Sequence, residues 1–132
     1  MISTELARAL RDSGLVWRPA AGDAFRIDMV EADDELFYLS DMTVEAHHFP
    51  TGTELGFNGT TEWALDSVPL EEALWLPHEN QLRELLGAAF VSLAADFTVV
   101  VTIDGVTSSF SADAAANAYG RALLALLDSL AG

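Results

Sequence analysis

The segment from Phe97 to Phe110 constrains the fold of this chain more than any other part of the sequence. Residues Phe97 to Ile103 are mostly β-branched, which is the composition of a well-packed strand. Asp104-Gly105 follows, a dipeptide typical of the two-residue type I′ turn, and Val106 to Phe110 returns as the partner strand. The second half of the chain therefore contains an antiparallel β-hairpin.

The hairpin leads directly into an alanine- and leucine-rich stretch. Ser111 is expected to cap a helix from about 112 to 130, because apolar residues recur there at helical spacing. A helix this apolar is either sandwiched between the sheet and another layer or shared with a second subunit. The stripe consists of Ala115, Ala118, Tyr119, Ala122, Leu123, Leu126 and Leu130, and is widened by Leu124 and Leu127.

The rest of the chain predicts short elements. Ser3 is suited to cap a helix over about 3–13, and Ala73–Leu76 and His78–Leu86 predict a strand followed by a second helix. Between them, alternating or β-rich patterns predict four strands that form an antiparallel meander. Those strands lie at 25–27, 36–39, 43–49 and 54–57, and the last two form a hairpin around residues 50–53.

These elements predict an α+β fold with a single domain over residues 1–132. An antiparallel sheet of short strands carries an N-terminal helix, a middle helix and the long apolar C-terminal helix. At 132 residues the chain is of ordinary size for one domain.

Charge is unevenly distributed along the sequence. The chain carries 21 acids against 6 basic residues, a net charge of −15. Residues 23–72 alone carry thirteen acids against Arg26, a net charge of −12. Nucleic acid and anionic membrane are poor partners for such a surface, because both bind through Lys and Arg. A cationic protein partner is expected instead, and a divalent cation or a role as an acidic nucleic-acid mimic are the alternatives.

Two missing residue types exclude whole classes of chemistry. All six basic residues are Arg, so P-loop and Schiff-base mechanisms, which need Lys, are excluded. The absence of Cys excludes disulfides, thiolate nucleophiles and sulfur-ligated metals. No signal sequence or membrane-length apolar run is present, and a cytoplasmic protein is expected.

Several segments carry a resemblance to known proteins: Glu5–Arg11 with Gly14-Leu15, Gly22-Asp23, Leu39–Val44, Phe57–Asp66, Glu72–Pro77 and Ala118–Leu124. Together they resemble a family of small uncharacterised proteins of high-GC Gram-positive bacteria that is often labelled "pilus assembly protein". The terminal hairpin and helix are more loosely similar to small phage-encoded α/β sandwich proteins. The resemblance implies relatives without a known activity.

Candidate ligand-binding residues are few. Glu45 and His47 share one face of a predicted strand, and with His78 they could ligate Zn²⁺ or Ni²⁺. The favoured interpretation is that they are ordinary surface residues. We therefore expect the chain to bind no metal or other cofactor. Trp63, with Asn58 in the same turn-rich block, is a candidate for a groove or an interface.

Three functions remain open from the sequence alone. The first is a non-enzymatic interaction module, with a homodimer contact through the C-terminal helix. The second is a small-ligand or metal-binding protein, or a hydrolase, that uses Glu45, His47 and His78. The third is an acidic nucleic-acid mimic that occupies a DNA-binding protein.

Overall fold

A computed structural model describes residues 1–28, 36–39, 44–49, 52–57 and 67–131, with the backbone alone at 44–49, 52–57 and 67–68. The described chain forms two compact units. The helical unit comprises Met1–Val16 with Leu76–Gly132, and the acidic unit comprises Trp17–Trp75. Helices and antiparallel strands occur together, and the α+β fold class is confirmed.

Helices alternate with groups of strands along the chain. A 3-10 turn at Leu70–Glu72 lies before the sixth strand, and a further 3-10 turn at Gly87–Ala89 follows the second helix. The helices are α1 (Thr4–Asp12), α2 (Glu79–Leu86) and α3 (Ala115–Ala131). The strands are β1 (Ala24–Ile27), β2 (Leu36–Tyr38), β3 (Val44–Phe49), β4 (Gly52–Phe57), β5 (Ser67–Pro69), β6 (Ala73–Leu76), β7 (Phe90–Leu93), β8 (Thr98–Ile103) and β9 (Val106–Ser111).

The described strands form three sheets of three strands, in the orders β2-β1-β6, β3-β4-β5 and β7-β8-β9. The predicted β3–β4 hairpin is confirmed, and Val44 pairs with Phe57 at its open end. The predicted meander through all four early strands is wrong, because β1 and β2 form a sheet with β6, whereas β3 and β4 form a different sheet with β5. A partner as distant in sequence as β6 leaves no trace in the local pattern of β1.

The β8–β9 hairpin of the helical unit matches the prediction from Asp104-Gly105. Asp104 has φ 51° and Gly105 has φ 79°, and a type I′ turn requires positive φ at both central residues. Pairing runs without interruption from Ile103↔Val106 to Thr98↔Ser111. On the other side of β8, β7 pairs antiparallel with a register shift between Phe90 and Ser92, which marks a β-bulge.

Helix α3 starts later than the sequence predicted. Ser111 does not cap it: Ser111 is the last residue of β9, and its carbonyl oxygen accepts a hydrogen bond from Arg121 at 2.9 Å. The helix begins at Ala115. The pairing of β9 with β8 extends the strand over the residue that could otherwise have started the helix.

Helix α3 is the centre of the helical unit and contacts α1, α2, β8 and β9. Most residues of its first half are buried, as are Val99 and Val101 of β8. Gly120 lies so close to α1 that a Cβ there would stand 2.6 Å from Leu6 Cδ2. The wide apolar stripe of α3 therefore has partners inside its own unit, although Leu130, near its end, is 75% exposed.

The acidic unit has a core of a different kind. Its buried cluster consists of Trp17, Phe25, Ile27, Leu39 and Ala73, and Phe37, Leu70 and Trp75 pack against it. The rings of Trp17 and Trp75 stack with their centroids 6.5 Å apart. Aromatic side chains supply buried apolar surface in this unit, whose described strands are only three to six residues long.

Candidate functional site

The five residues singled out from the sequence do not form a described cluster. Glu45 and His47 lie on β3 of the acidic unit, where they pair with Gly56 and Glu54. His78 precedes α2 of the helical unit. Trp63 and Asn58 lie outside the described residues.

His78 has an observable structural role at the start of α2. Its backbone N–H donates to Gln81 Oε1 at 2.8 Å, and its carbonyl oxygen accepts from the N–H of Leu82 at 3.0 Å. This is half of a capping box, in which the side chain three residues into a helix satisfies the backbone of the capping residue. The position of His78 is therefore explained by helix capping without a ligand.

No three His, Asp or Glu side chains come together as a metal site among the side chains that the structure describes. The candidate set includes Glu45 and His47, whose side chains are outside that part of the chain. A metal site built from Glu45, His47 and His78 therefore stays a prediction.

A buried carboxylate that the sequence did not single out as a site lies in the acidic unit. Asp23 is 4% exposed, and its Oδ2 accepts from Trp17 Nε1 at 2.9 Å and from the N–H of Ala20 at 3.0 Å. The backbone N–H and C=O of the 22–23 segment also bond to Leu39, at 2.8 Å each. Asp23 therefore joins the connector after Trp17 to the strands, and its carboxylate is occupied by structural donors.

An open groove of about 320 Å³ lies between α1 and α3 in the helical unit. It is lined by Ser3, Glu5, Leu6, Ala9, Asn117 and Arg121. Asn117 Oδ1 already accepts from the N–H of Ser3 at 2.8 Å, and Arg121 already donates to Ser111. These bonds hold the two helices and β9 together, so Asn117 and Arg121 both take part in structural contacts.

The two units differ in net charge. The acidic unit carries thirteen acids against Arg18 and Arg26, a net charge of −11 over 59 residues. The helical unit carries eight acids against four Arg, a net charge of −4 over 73 residues. Asp23 is the one buried acid among the side chains that the structure describes.

One face of the β7-β8-β9 sheet bears hydroxyl groups and no charge. Val99 and Val101 are buried, so their β8 neighbours Thr98, Val100 and Thr102 point to the opposite face. Thr98 Oγ1 lies 2.8 Å from Ser111 Oγ, and Thr102 Oγ1 lies 2.9 Å from Thr107 Oγ1. The alternation of Ser and Thr along β8 and β9 was readable in the sequence but carries no known motif.

We found no matching family model, no matching curated protein and no matching solved structure. The resemblance to the family labelled "pilus assembly protein" therefore stays a prediction. Among the described residues, no helix is both long and apolar enough to span a bilayer.

Proposed function

We propose that this protein is a non-enzymatic interaction module whose acidic unit binds a cationic partner protein. The observation that carries the proposal is the charge difference between the units, −11 against −4. A concentrated negative surface attracts a positive partner over about a Debye length and raises the association rate.

Two acids of the acidic unit are exposed among the side chains that the structure describes. They are Glu71 and Glu72, in the 3-10 turn before β6. Asp23, by contrast, is buried and is held by Trp17 and Ala20. A carboxylate that is solvated and not paired within the chain retains its full charge for an external partner.

The polar groups of the described chain also support a role without catalysis. His78 takes part in helix capping, Asp23 in holding a connector, and Asn117 and Arg121 in joining elements of the helical unit. A catalytic site needs a nucleophile or a base with a free path to substrate. The described polar clusters are explained by structural hydrogen bonds.

The test measures binding of a fluorescent lysine-rich peptide to the full chain by anisotropy at two salt concentrations. E71Q/E72Q should weaken binding about fivefold, because each exposed ion pair contributes up to about 1 kcal/mol. The matched control E84Q/D128N removes the same charge from exposed positions of the helical unit and should change affinity less than about twofold. Added salt should weaken binding of the unchanged protein.

Equal loss in both variants would mean that only total charge matters, and the proposal that the acidic unit is the binding unit would be wrong. No binding at either salt concentration would contradict the proposal as a whole.

A further inference from the structure

Strand β9 is an open edge of its sheet. It is the last strand in the order β7-β8-β9, and no described strand pairs with its other side. All of its residues except Phe110 are exposed, and Val106 is 63% exposed. An exposed, regular edge strand is a template for pairing with another strand.

The turn geometry decides which backbone groups of β9 point outward. In a two-residue hairpin the residues beside the turn, Ile103 and Val106, form a hydrogen-bonded pair, and such pairs alternate along an antiparallel ladder. Thr107, Ser109 and Ser111 therefore direct their N–H and C=O groups away from β8. The carbonyl of Ser111 is taken by Arg121, which leaves Thr107 and Ser109 as the pairing positions.

The edge lacks the features that normally prevent pairing. Protected edges carry charged residues, proline or a bulge. The sequence of β9, Val-Thr-Ser-Ser-Phe-Ser, has no charge and no proline, and its register with β8 is unbroken. The opposite edge strand, β7, is shorter and carries a bulge between Phe90 and Ser92.

We propose that two copies of this chain associate by antiparallel pairing of β9 with β9 across a two-fold axis at Ser108. This register places Thr107 opposite Ser109 of the second copy, so that the outward groups of both are satisfied. It also places the exposed Val106 opposite Phe110 of the second copy, which buries both side chains. The strand is therefore complementary to itself in hydrogen bonding and in apolar contact.

Charge favours a second copy over the cationic partner at this edge. An uncharged strand offers nothing to a lysine-rich protein, whereas two chains of net charge −15 can approach closely only where charge is absent. Asp104 and Asp113 flank β9, and pairing brings Asp104 of one copy towards Asp113 of the other. Salt should therefore strengthen the dimer while it weakens the binding described under Proposed function.

The absence of cysteine allows a direct test by a single introduced thiol. In this register the two copies of residue 108 face each other as a non-hydrogen-bonded pair, with Cα atoms about 4.5 Å apart. Disulfides form at Cα separations of roughly 4.4–6.8 Å. S108C should therefore become a covalent dimer in an oxidising glutathione buffer, whereas the control S92C, on the exposed edge strand β7, should stay monomeric.

A second variant tests the same edge without crosslinking. Ser109→Pro removes an outward N–H and leaves the ladder with β8 intact, so the protein should keep its circular dichroism spectrum. Half of the backbone hydrogen bonds between the copies are lost, and sedimentation should show dimerisation weakened about tenfold or more. The proposal is overturned if S108C crosslinks no more than S92C, or if the unchanged protein sediments as a monomer at all salt concentrations.

Discussion

The helical unit buries its apolar side chains around one long helix, whereas the acidic unit packs Trp17, Phe25 and Trp75 together among short strands. The helical unit carries a net charge of −4 and exposes a hydroxyl-bearing, uncharged sheet face and edge. The acidic unit carries −11. This difference in charge is the basis of both proposals, a cationic partner for the acidic unit and a second copy of the chain for the uncharged edge of the helical unit.

The units can be observed separately in solution. All three tryptophans, Trp17, Trp63 and Trp75, belong to the acidic unit, whereas α1, α2 and α3 belong to the helical unit. Tryptophan fluorescence therefore reports the acidic unit, and far-ultraviolet circular dichroism is dominated by the helical unit.

Phe25→Ala should lower the free energy of unfolding by about 4 kcal/mol, because it empties a fully buried aromatic site. Leu123→Ala is the matched change in the helical unit, 2% exposed, and should cost about 3 kcal/mol. Since a single domain is predicted, each variant should shift the fluorescence and circular dichroism midpoints together in urea. Midpoints that separate would show that the two units unfold independently and that the single-domain prediction is wrong.

Asp23→Ala should cost about 3 kcal/mol, because the Trp17 indole N–H and the Ala20 N–H both lose their acceptor in a buried place. Asp23→Asn keeps an acceptor oxygen at the same position and should cost only about 1 kcal/mol. The measurement is urea unfolding followed by tryptophan fluorescence. Equal costs for the two variants would mean that the negative charge, and not the acceptor geometry, is what the acidic unit needs at this position.

Gly120→Val should cost about 2 kcal/mol in the helical unit, because its side chain enters the space of Leu6 and Ile2. Leu6→Ala in the same chain removes the contacting atoms. The double variant should therefore lose less unfolding free energy than the sum of the losses in the two single variants. Circular dichroism in urea gives the coupling. Strict additivity would contradict the close approach of α1 and α3.

Local sequence signals predicted the elements whose causes are local. The dipeptide Asp104-Gly105 identified the β8–β9 hairpin because these residue types adopt the positive φ that both central residues of a type I′ turn require. Ser3 identified the start of α1, where its hydroxyl accepts from the N–H of Leu6 at 3.2 Å. Strand β7 was missed because its four residues carry a bulge and follow a helix after only a 3-10 turn.

The features that depend on distant partners could not be read from the sequence. The pairing of β1 with β6 joins segments on either side of β3, β4 and β5. Asp23 reads as an ordinary turn residue after Gly22, and only the folded connector brings the Trp17 indole to its carboxylate. Of the candidate site, Glu45 and His47 are placed on one strand as predicted, whereas the relation of His78 to them depends on tertiary structure that spacing does not encode.

The proposal that the acidic unit binds a cationic partner can be tested residue by residue in the full chain. The most direct measurement is a titration of the ¹⁵N-labelled full chain with the lysine-rich peptide, followed by amide chemical shifts. We expect the shift changes to concentrate in residues 17–75, including Glu71 and Glu72, while the amide shifts of β9 stay unchanged. Shifts concentrated in β7-β8-β9 or α3, or spread evenly over both units, would contradict it.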